Sequence, residues 1–431
     1  MLKRFASLAL ALLTTTAVFA QDASDLERRL RELEQKIAQM QSTPDLTEIK
    51  RQIEILGQEI EALKTRQTAT VATADTSTFG FGPAASKVYR SEGGVSIGGY
   101  GEFLYQNPED EVATADSLRA VVYTGYKFND HVLFNSELEV EHANLERGGN
   151  VELEFAYLDY LVRPELNFRG GLVLVPVGLT NEQHEPTAFL GARRPVLDHD
   201  VIPSTWMELG GGVFGDVGPV TYRAYLVTGL DAGGFGPEEG LREGRQAGGE
   251  AAAEDWAAVG RLDWHVFEGT TIGGSLYSGD SGQGRDFNGR VTLGEVHADT
   301  RFRGAVLRAL YTRASIGDAA AINDELGLTG EDSIGKRLGG WYVEGGYDVS
   351  SFLFTNREMS LMPYARYEKF DTQQRVPSGF LRNAANDRTI FTLGVAFKPI
   401  SQTVIKVDYQ NVDNEANTGT NQWNVALGYI F

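Results

Sequence analysis

The sequence contains no cysteine among its 431 residues, which excludes disulfide frameworks, thiolate metal sites and cysteine nucleophiles. Basic residues are also scarce, since 39 Lys and Arg residues stand against 59 Asp and Glu residues for a formal net charge of −20. Because phosphate backbones need a clustered basic surface, this balance argues against a nucleic-acid partner. After residue 20 no apolar run is long enough for a membrane-spanning helix. A spanning protein would therefore have to be a closed β-barrel.

Histidine is rare as well, and none of the six histidines stands in a motif typical of a hydrolase or a metalloprotease. His199 lies between Asp198 and Asp200, which could bind a divalent ion, but no further ligand pattern supports a site there. We therefore expect no enzyme activity, no metal site and no cofactor.

Residues 1–20 have the pattern of a secretory signal peptide. Lys3 and Arg4 precede an apolar stretch over residues 5–18, and small or β-branched residues stand at the −3 and −1 positions of a cleavage site after Ala20. The apolar stretch is short for a spanning helix, so we expect cleavage and export.

Residues 21–67 have the pattern of a coiled coil. The apolar positions are spaced alternately by three and four residues: Leu26, Leu30, Leu33, Ile37 and Met40, then, after Pro44, Leu46, Ile49, Ile53, Leu56, Ile60 and Leu63. So narrow a stripe indicates burial against copies of the same helix, and its mixture of Ile and Leu favours a coiled coil of three helices over one of two. The alternative is a helix folded back on the barrel mouth. Residues 68–93, rich in Thr, Ala, Ser and Gly, are predicted to be a linker.

From residue 94 to residue 431 apolar residues alternate with polar ones in segments of about ten residues, which is typical of transmembrane β-strands. The sixteen segments are centred near residues 100, 122, 136, 156, 172, 212, 224, 261, 275, 296, 309, 345, 365, 393, 407 and 427. Short and long connections alternate between them, as in outer-membrane barrels with short periplasmic turns. The predicted fold class is all-β, a 16-stranded antiparallel barrel with both termini in the periplasm. A soluble sandwich or propeller is the alternative, but its strands would be shorter.

The last segment ends in two aromatic residues, Tyr429 and Phe431. On an alternating strand behind a signal peptide, they look like the signal that the outer-membrane assembly machinery recognises. We therefore expect that machinery and outer-membrane lipid as partners.

The loop over residues 178–206 is the candidate constriction of the barrel. Its prolines and apolar residues would let it fold into the lumen. Arg193 and Arg194 are the candidate anion contacts, and His184 and Glu185 lie in the same loop. The alternative is that the two arginines only hold the loop in shape by pairing with Asp198, Asp200 or Glu185.

Further candidate solute contacts lie on the inward faces of the strands. The basic candidates are Arg119, Lys127, Arg169, Arg223 and Arg261. Acidic residues share these faces, and mixed charges do not define the sign of a permeant ion.

Three strand motifs carry a family resemblance. Ala156–Tyr160 (Ala-Tyr-Leu-Asp-Tyr) is followed by Gly171–Gly178 and by the glycine-rich Gly210–Gly215. This pattern resembles the phosphate-selective porin O and P family, and the preceding coiled coil is similar to that of DcaP-like outer-membrane porins. The resemblance implies a sixteen-stranded homotrimeric porin for small anions.

The sequence thus predicts an outer-membrane porin for passive diffusion of small hydrophilic solutes or ions, with anions as one candidate class. The alternative is a structural protein whose coiled coil spaces the membrane from the cell wall.

Overall fold

The computed structural model describes residues 77–431, except residues 144–147 and 356–357. The described residues belong to one compact unit, Ala72–Phe431. The predicted signal peptide (1–20), the predicted coiled coil (21–67) and the first part of the predicted linker lie outside them. Among the described residues, no helix is both long enough and apolar enough to cross a membrane.

Sixteen antiparallel strands form a closed barrel, in which each strand pairs with its neighbours along the chain and the first pairs with the last. The strands are β1 Gly94–Pro108, β2 Thr114–Lys127, β3 Val132–Glu141, β4 Asn150–Arg163, β5 Leu166–Leu174, β6 Met207–Val217, β7 Val220–Thr228, β8 Trp256–Phe267, β9 Thr270–Gly279, β10 Val291–Phe302, β11 Ala305–Ile316, β12 Arg337–Tyr347, β13 Ser360–Arg375, β14 Asp387–Ile400, β15 Thr403–Asn414 and β16 Gln422–Ile430. Each predicted segment centre falls inside its strand. The predicted fold class is therefore confirmed.

The helices among the described residues are short. They are α1 Lys87–Arg90, α2 Leu197–Asp200, α3 Ala319–Leu326 and α4 Ser350–Leu353, together with 3-10 turns at Ala232–Gly234, Arg242–Gly244, Gly330–Asp332 and Ala384–Asn386. All of them lie outside the strands, so the barrel wall consists of strands alone.

The two faces of each strand meet different environments, as the alternation of residue types predicts. In β16, Trp423 is 50% exposed on the outer face, whereas Asn424 is fully buried on the inner face. The outer face of the barrel carries apolar and aromatic side chains all round, and the inner face carries charged ones. This arrangement suits a wall with lipid outside and polar groups inside.

Connections at one end of the barrel are short, with two residues in each of the turns 164–165, 218–219, 268–269, 303–304 and 401–402. The connections at the other end include the two longest, residues 175–206 and 229–255. The predicted alternation is therefore present. The connection over residues 348–359 departs from it, because it contains α4 at the end with short turns.

The barrel closes where β1 pairs with β16, and Phe431 extends this pairing by one residue. The backbone N–H of Gly99 donates to Phe431 O at 3.0 Å, and the N–H of Phe431 donates to Gly99 O at 2.9 Å. A Cβ on Gly99 would lie 2.6 Å from the Phe431 ring, and one on Gly101 would lie 2.5 Å from the Tyr429 hydroxyl. The two aromatic rings therefore cover glycines of the neighbouring strand on the outer face.

Candidate functional site in the barrel lumen

The connection between β5 and β6, residues 175–206, crosses the inside of the barrel. The N–H of Ala192 donates to Asp408 on β15 at 2.7 Å, and the N–H of Leu197 donates to Glu368 on β13 at 3.1 Å. Arg308 on β11 donates to Ala188 O at 2.7 Å. These three wall side chains are buried on the inward face. The loop that begins at β5 is thus bound to strands far from it around the barrel.

The neck of this loop is closed by one asparagine. The Asn181 amide donates to Val175 O at 2.6 Å and to Trp206 O at 2.9 Å, and its carbonyl accepts the N–H of Trp206 at 2.7 Å. Val175 and Trp206 stand at the two ends of the connection, so these bonds hold its ends together. Within the same loop, the Asp198 carboxylate accepts a hydrogen bond from the Thr180 hydroxyl. Burial raises the pKa of Asp198 to about 7.

A second piece of chain, residues 77–91, also packs inside the barrel, and we call it the inner segment. Glu185 of the loop accepts the N–H groups of Ala84 and Ala85 at 2.9 and 3.1 Å, and Asn135 on β3 donates to Ala85 O at 3.0 Å. Burial raises the pKa of the Glu185 carboxyl to about 7. The predicted linker over residues 68–93 therefore ends in a packed stretch.

The glycine and alanine content that suggested a linker has a packing reason in the inner segment. A Cβ on Gly80 would lie 1.8 Å from the Arg223 guanidinium, and one on Gly82 would lie 2.4 Å from the Glu185 carboxyl carbon. Ala84 and Ala85 are 1% and 3% exposed. Small residues here allow the backbone to approach wall and loop side chains closely.

Arg169 on β5 attaches the inner segment to the wall. Its guanidinium donates to both carboxylate oxygens of Asp159 at 2.8 Å and to the Tyr89 hydroxyl at 2.8 Å. It also lies 4.8 Å above the ring of Phe81. Tyr89 and Phe81 belong to the inner segment. Of the predicted candidates, Arg169 is thus fully engaged with protein groups.

Arg223 and Arg261 lie side by side on β7 and β8 and share two carboxylates. Arg223 binds Asp263 and Glu182 at 3.0 Å each, and Arg261 binds Asp263 at 2.8 Å. Arg261 also donates to the Gly178 carbonyl. Since Glu182 and Gly178 belong to the loop, these arginines fix it to the wall.

Beside this pair, a polar cavity of about 860 Å³ extends to the turns at the end of the barrel with short connections. Its lining includes both charge signs: Glu182, Asp216, Arg223, Arg261, Asp263, His265, His297, Asp299, Arg301, Arg308 and Lys398.

The candidate anion contacts Arg193 and Arg194 do not pair with the loop carboxylates. Glu185 binds the inner segment, Asp198 binds Thr180, and Asp200 binds Arg388 and His199. Among the described residues no carboxylate lies within 4.0 Å of either guanidinium, and Arg193 is exposed to solvent. The structure therefore does not contain the alternative arrangement, in which the two arginines pair with Asp198, Asp200 or Glu185.

Two further arginines, not among the candidates predicted from the sequence, lie near this part of the loop. Arg242 and Arg245, from the connection over residues 229–255, both donate to Ser204 O, Arg245 at 3.1 Å. Burial lowers the pKa of Arg242 to about 9, and the nearby charges of Arg245 and Arg194 add to this. In the sequence, these two arginines could have been recognised as a pair of basic residues three positions apart in a long loop.

The other two wall candidates lie elsewhere in the lumen. Lys127 donates to Ser91 O at 3.0 Å, at the end of β2 next to the inner segment. Arg119, farther along β2, lies 3.5 Å from Glu102 and 3.4 Å from Glu139.

His184 joins the loop to a group of wall carboxylates. Its Nδ1–H donates to Asn181 O at 2.8 Å, and its Nε2 lies 3.2 Å from Glu137 and 2.9 Å from Glu154. Burial by itself would lower the pKa of His184, but the negative charges of Glu154 and Glu137 raise it well above 6.5. His184 and Glu185, adjacent in sequence, thus bind opposite partners: the wall and the inner segment.

The closed sixteen-stranded wall, its apolar outer face and its charged, loop-crossed interior are those of a transmembrane-type β-barrel. Its fold is similar to solved structures of outer-membrane proteins. A loop-deletion mutant of OmpT, an outer membrane protein of Vibrio cholerae, matches with a TM-score of 0.50 and 15% identity, over 79% of this chain and 100% of that one. Salmonella typhi OmpF, in complex with daunomycin, matches with a TM-score of 0.51 and 12% identity, over 80% and 99% of the two chains. Identities this low establish the fold alone.

By sequence, the chain belongs to the same family as an uncharacterised protein of Aquifex aeolicus (strain VF5). The two are 37% identical over 365 residues, which cover 82% of this chain and 83% of the relative. No known family model matches the chain. The sixteen-stranded barrel fold predicted from the sequence is therefore confirmed, while the porin role and membership of the phosphate-selective porin O and P family stay predictions.

Proposed function

We propose that this protein is a passive channel for small hydrophilic solutes across the bacterial outer membrane, that it prefers anions, and that it works as a homotrimer. A barrel with lipid-compatible residues outside and charged residues inside supports transport over a purely structural role. The polar cavity of about 860 Å³ at the end with short turns supports a solute path on the side of β7 to β11.

In this proposal the loop over residues 178–206 is the constriction. Its bonds to Asp408, Glu368 and Arg308 support a fixed position across the lumen. A loop held at so many points has little freedom to swing out, because several buried hydrogen bonds would have to break together. Solutes would then pass beside the loop at a constant width.

One observation supports the anion preference above all others: Arg193 is exposed within the loop and has no carboxylate in ion-pair range among the described residues. Arg242 adds positive charge beside the loop, together with Arg194 and Arg245, whose charges act on it. Guanidinium groups keep their charge at neutral pH and bind carboxylates or phosphates in a bidentate manner. Most inward-facing arginines are instead paired with wall carboxylates, so these four residues would decide the sign.

The test is the reversal potential of the purified protein in a planar bilayer under a salt gradient. We expect an anion-selective value for the wild type and a shift towards cations in Arg193→Glu. Arg290→Glu makes the same charge change on an exposed arginine outside the loop, paired with Asp280, and should leave the value unchanged. A cation-selective wild type would contradict the anion preference, and the absence of conductance would contradict the channel.

The tether is a second candidate, and the inner segment favours it. Residues 77–91 are bound to the loop through Glu185 and to the wall through Arg169 and Asn135. Tension on the preceding residues would therefore act on the whole barrel and not on β1 alone. Deletion of residues 22–67 separates the two functions: conductance should survive if the protein is a channel, and the spacing of the envelope should change if it is a tether.

A further inference from the structure

Four acidic side chains of two neighbouring strands cluster inside the barrel, and two of them contact His184. Glu137 and Glu139 lie on β3, and Glu152 and Glu154 on β4, where Glu139 and Glu152 are register partners. Two groups of three side chains bring one oxygen or nitrogen atom of each within 4.8 Å of one another: Glu137 with Glu154 and His184, and Glu139 with Glu152 and Glu154. Glu154 is common to both groups.

Most oxygens of the three buried carboxylates in this cluster lack a hydrogen-bond donor. Glu137 and Glu154 are fully buried and Glu139 is 1% exposed. Within the described part of the chain, Glu137 Oε2, both oxygens of Glu139 and Glu154 Oε1 accept no hydrogen bond, and Glu154 Oε2 has only its 2.9 Å contact with His184 Nε2. Buried carboxylates are almost always hydrogen-bonded or paired, because an isolated buried charge costs several kcal/mol. These oxygens therefore need a cation that can serve several of them at once.

Nearby arginines do not meet that need. Arg119 lies 3.4 Å from one oxygen of Glu139, with its charge divided between Glu139 and Glu102. Arg194 approaches from the loop, but its own Nη1 is buried without an acceptor. The two guanidinium groups thus stand beside the carboxylates without donating to their free oxygens.

His184 is oriented as a metal-binding histidine. Its Nδ1–H donates to the carbonyl of Asn181, which directs Nε2 at Glu137 and Glu154. A ring nitrogen fixed in this way by a backbone carbonyl is the usual outer-shell arrangement of metal-ligating histidines. The distances of 2.9 and 3.2 Å from Nε2 to the two carboxylates are close to the roughly 3.3 Å between neighbouring ligands of a tetrahedral zinc ion.

We propose that Glu137, Glu154 and His184 bind a divalent transition-metal ion such as Zn²⁺ or Mn²⁺, with Glu139 and Glu152 as adjoining carboxylates. An imidazole together with carboxylates favours these ions over Ca²⁺, which takes oxygen ligands. On binding, the ion displaces the proton from His184 Nε2, so that the metal and the proton compete. The ion would cross-link the loop, through His184, to β3 and β4.

The test is metal binding to the purified, folded full chain in detergent after treatment with EDTA. Calorimetry with Zn²⁺ alone, and electron paramagnetic resonance with Mn²⁺ alone, should give a saturable site. His184→Gln and Glu154→Gln should each weaken binding at least about 10-fold. The matched control is Glu344→Gln, which changes a buried wall carboxylate on β12 that pairs with Arg366 at 3.3 Å and lies outside both the loop and the cluster. It should bind as the wild type does.

Folding of each variant is checked by the heat-dependent shift in gel mobility of the barrel, so that a loss of binding is not mistaken for a loss of structure. Absence of Zn²⁺ and Mn²⁺ binding to the folded wild type would overturn the proposal, as would binding that survives both substitutions. Tighter binding of Ca²⁺ than of Zn²⁺ would overturn the choice of metal. None of these measurements depends on conductance, so they stand apart from the test of the channel.

Discussion

At the scale of single residues, Arg169 shows how a charge on the inside of a barrel can serve structure. It is 4% exposed, and its guanidinium is shared between a carboxylate, a hydroxyl and three aromatic rings. Such a group contributes by holding its partners in place as well as by its charge.

Replacing Arg169 with Met should destabilise the barrel strongly, because the fully buried Asp159 would lose its counter-charge. We expect the free energy of unfolding to fall by about 3–5 kcal/mol. Urea unfolding followed by tryptophan fluorescence measures this change.

The control for Arg169 is Arg163→Met. Arg163 is 64% exposed and lies 3.8 Å from Glu165, so its loss should cost less than about 1 kcal/mol. Equal effects of the two substitutions would show that the internal ion pair adds nothing beyond surface electrostatics.

The sequence placed Arg169 on an inward face but could not identify its partners. Alternation within β5 gives the direction of a side chain, since successive side chains of a strand point to opposite faces. Tyr89 lies 80 positions away, in a stretch that composition alone assigned to a linker. Long-range contacts of this kind leave no periodic signal.

At the scale of elements, strands β5 and β6 pair through glycines. Gly170 faces Gly211, and Gly171 faces Gly210. Gly171 has a φ of +138°, and a Cβ there would lie 2.4 Å from the carbonyl oxygen of Ala156 on β4. At Gly170 the nearest atom to an added Cβ is 3.9 Å away. Neighbouring glycines therefore differ in whether a side chain is tolerated.

Gly171→Ala should cost about 2 kcal/mol or more, because it combines a strained backbone with a clash against a carbonyl that cannot move freely. Gly170→Ala should stay within about 0.5 kcal/mol of the wild type. Chemical denaturation of the two variants makes the comparison. If both are tolerated equally, close packing of β4 against β5 does not require glycine at position 171.

Strand positions could be predicted from the sequence because each strand carries its own pattern. All sixteen centres followed from alternation and turn residues. The position of the loop over residues 178–206 is not encoded in its own residues in this way. Its place in the lumen depends on acceptors such as Asp408, which lies 216 positions from Ala192.

At the scale of the whole molecule, closure depends on the seam between β1 and β16. Tyr429 and Phe431 were predicted as an assembly signal, and their rings also cover Gly101 and Gly99 at this seam. A packing role and a recognition role make different demands, so they can be separated by experiment.

Phe431→Ala should lower the stability of the folded barrel by no more than about 1 kcal/mol, the usual range for one cross-strand contact. If the residue is also read by the assembly machinery, the yield of folded barrel in outer-membrane fractions should fall far more than this loss explains. Gel mobility with and without heating measures the yield.

Phe302→Ala is the matched control for Phe431. Phe302 ends β10 next to a two-residue turn and is 60% exposed, but it lies away from the seam. Its replacement should change neither yield nor stability appreciably. An equal loss of yield in both variants would contradict a specific signal at Phe431.

The sequence by itself determined the barrel: the number of strands, the face each side chain takes, and the alternation of short and long connections. Each strand turns one face to lipid and the other to the polar lumen. Apolar and polar residues therefore alternate with a period of two in every strand separately. The tertiary structure alone decided which inward-facing charged side chains are paired with protein groups, and that Arg193 has no carboxylate within ion-pair range among the described residues. It likewise placed residues 77–91 inside the barrel. It also decided that His184 meets Glu137 and Glu154, because barrel closure and the folding of the loop bring together side chains that no local pattern connects.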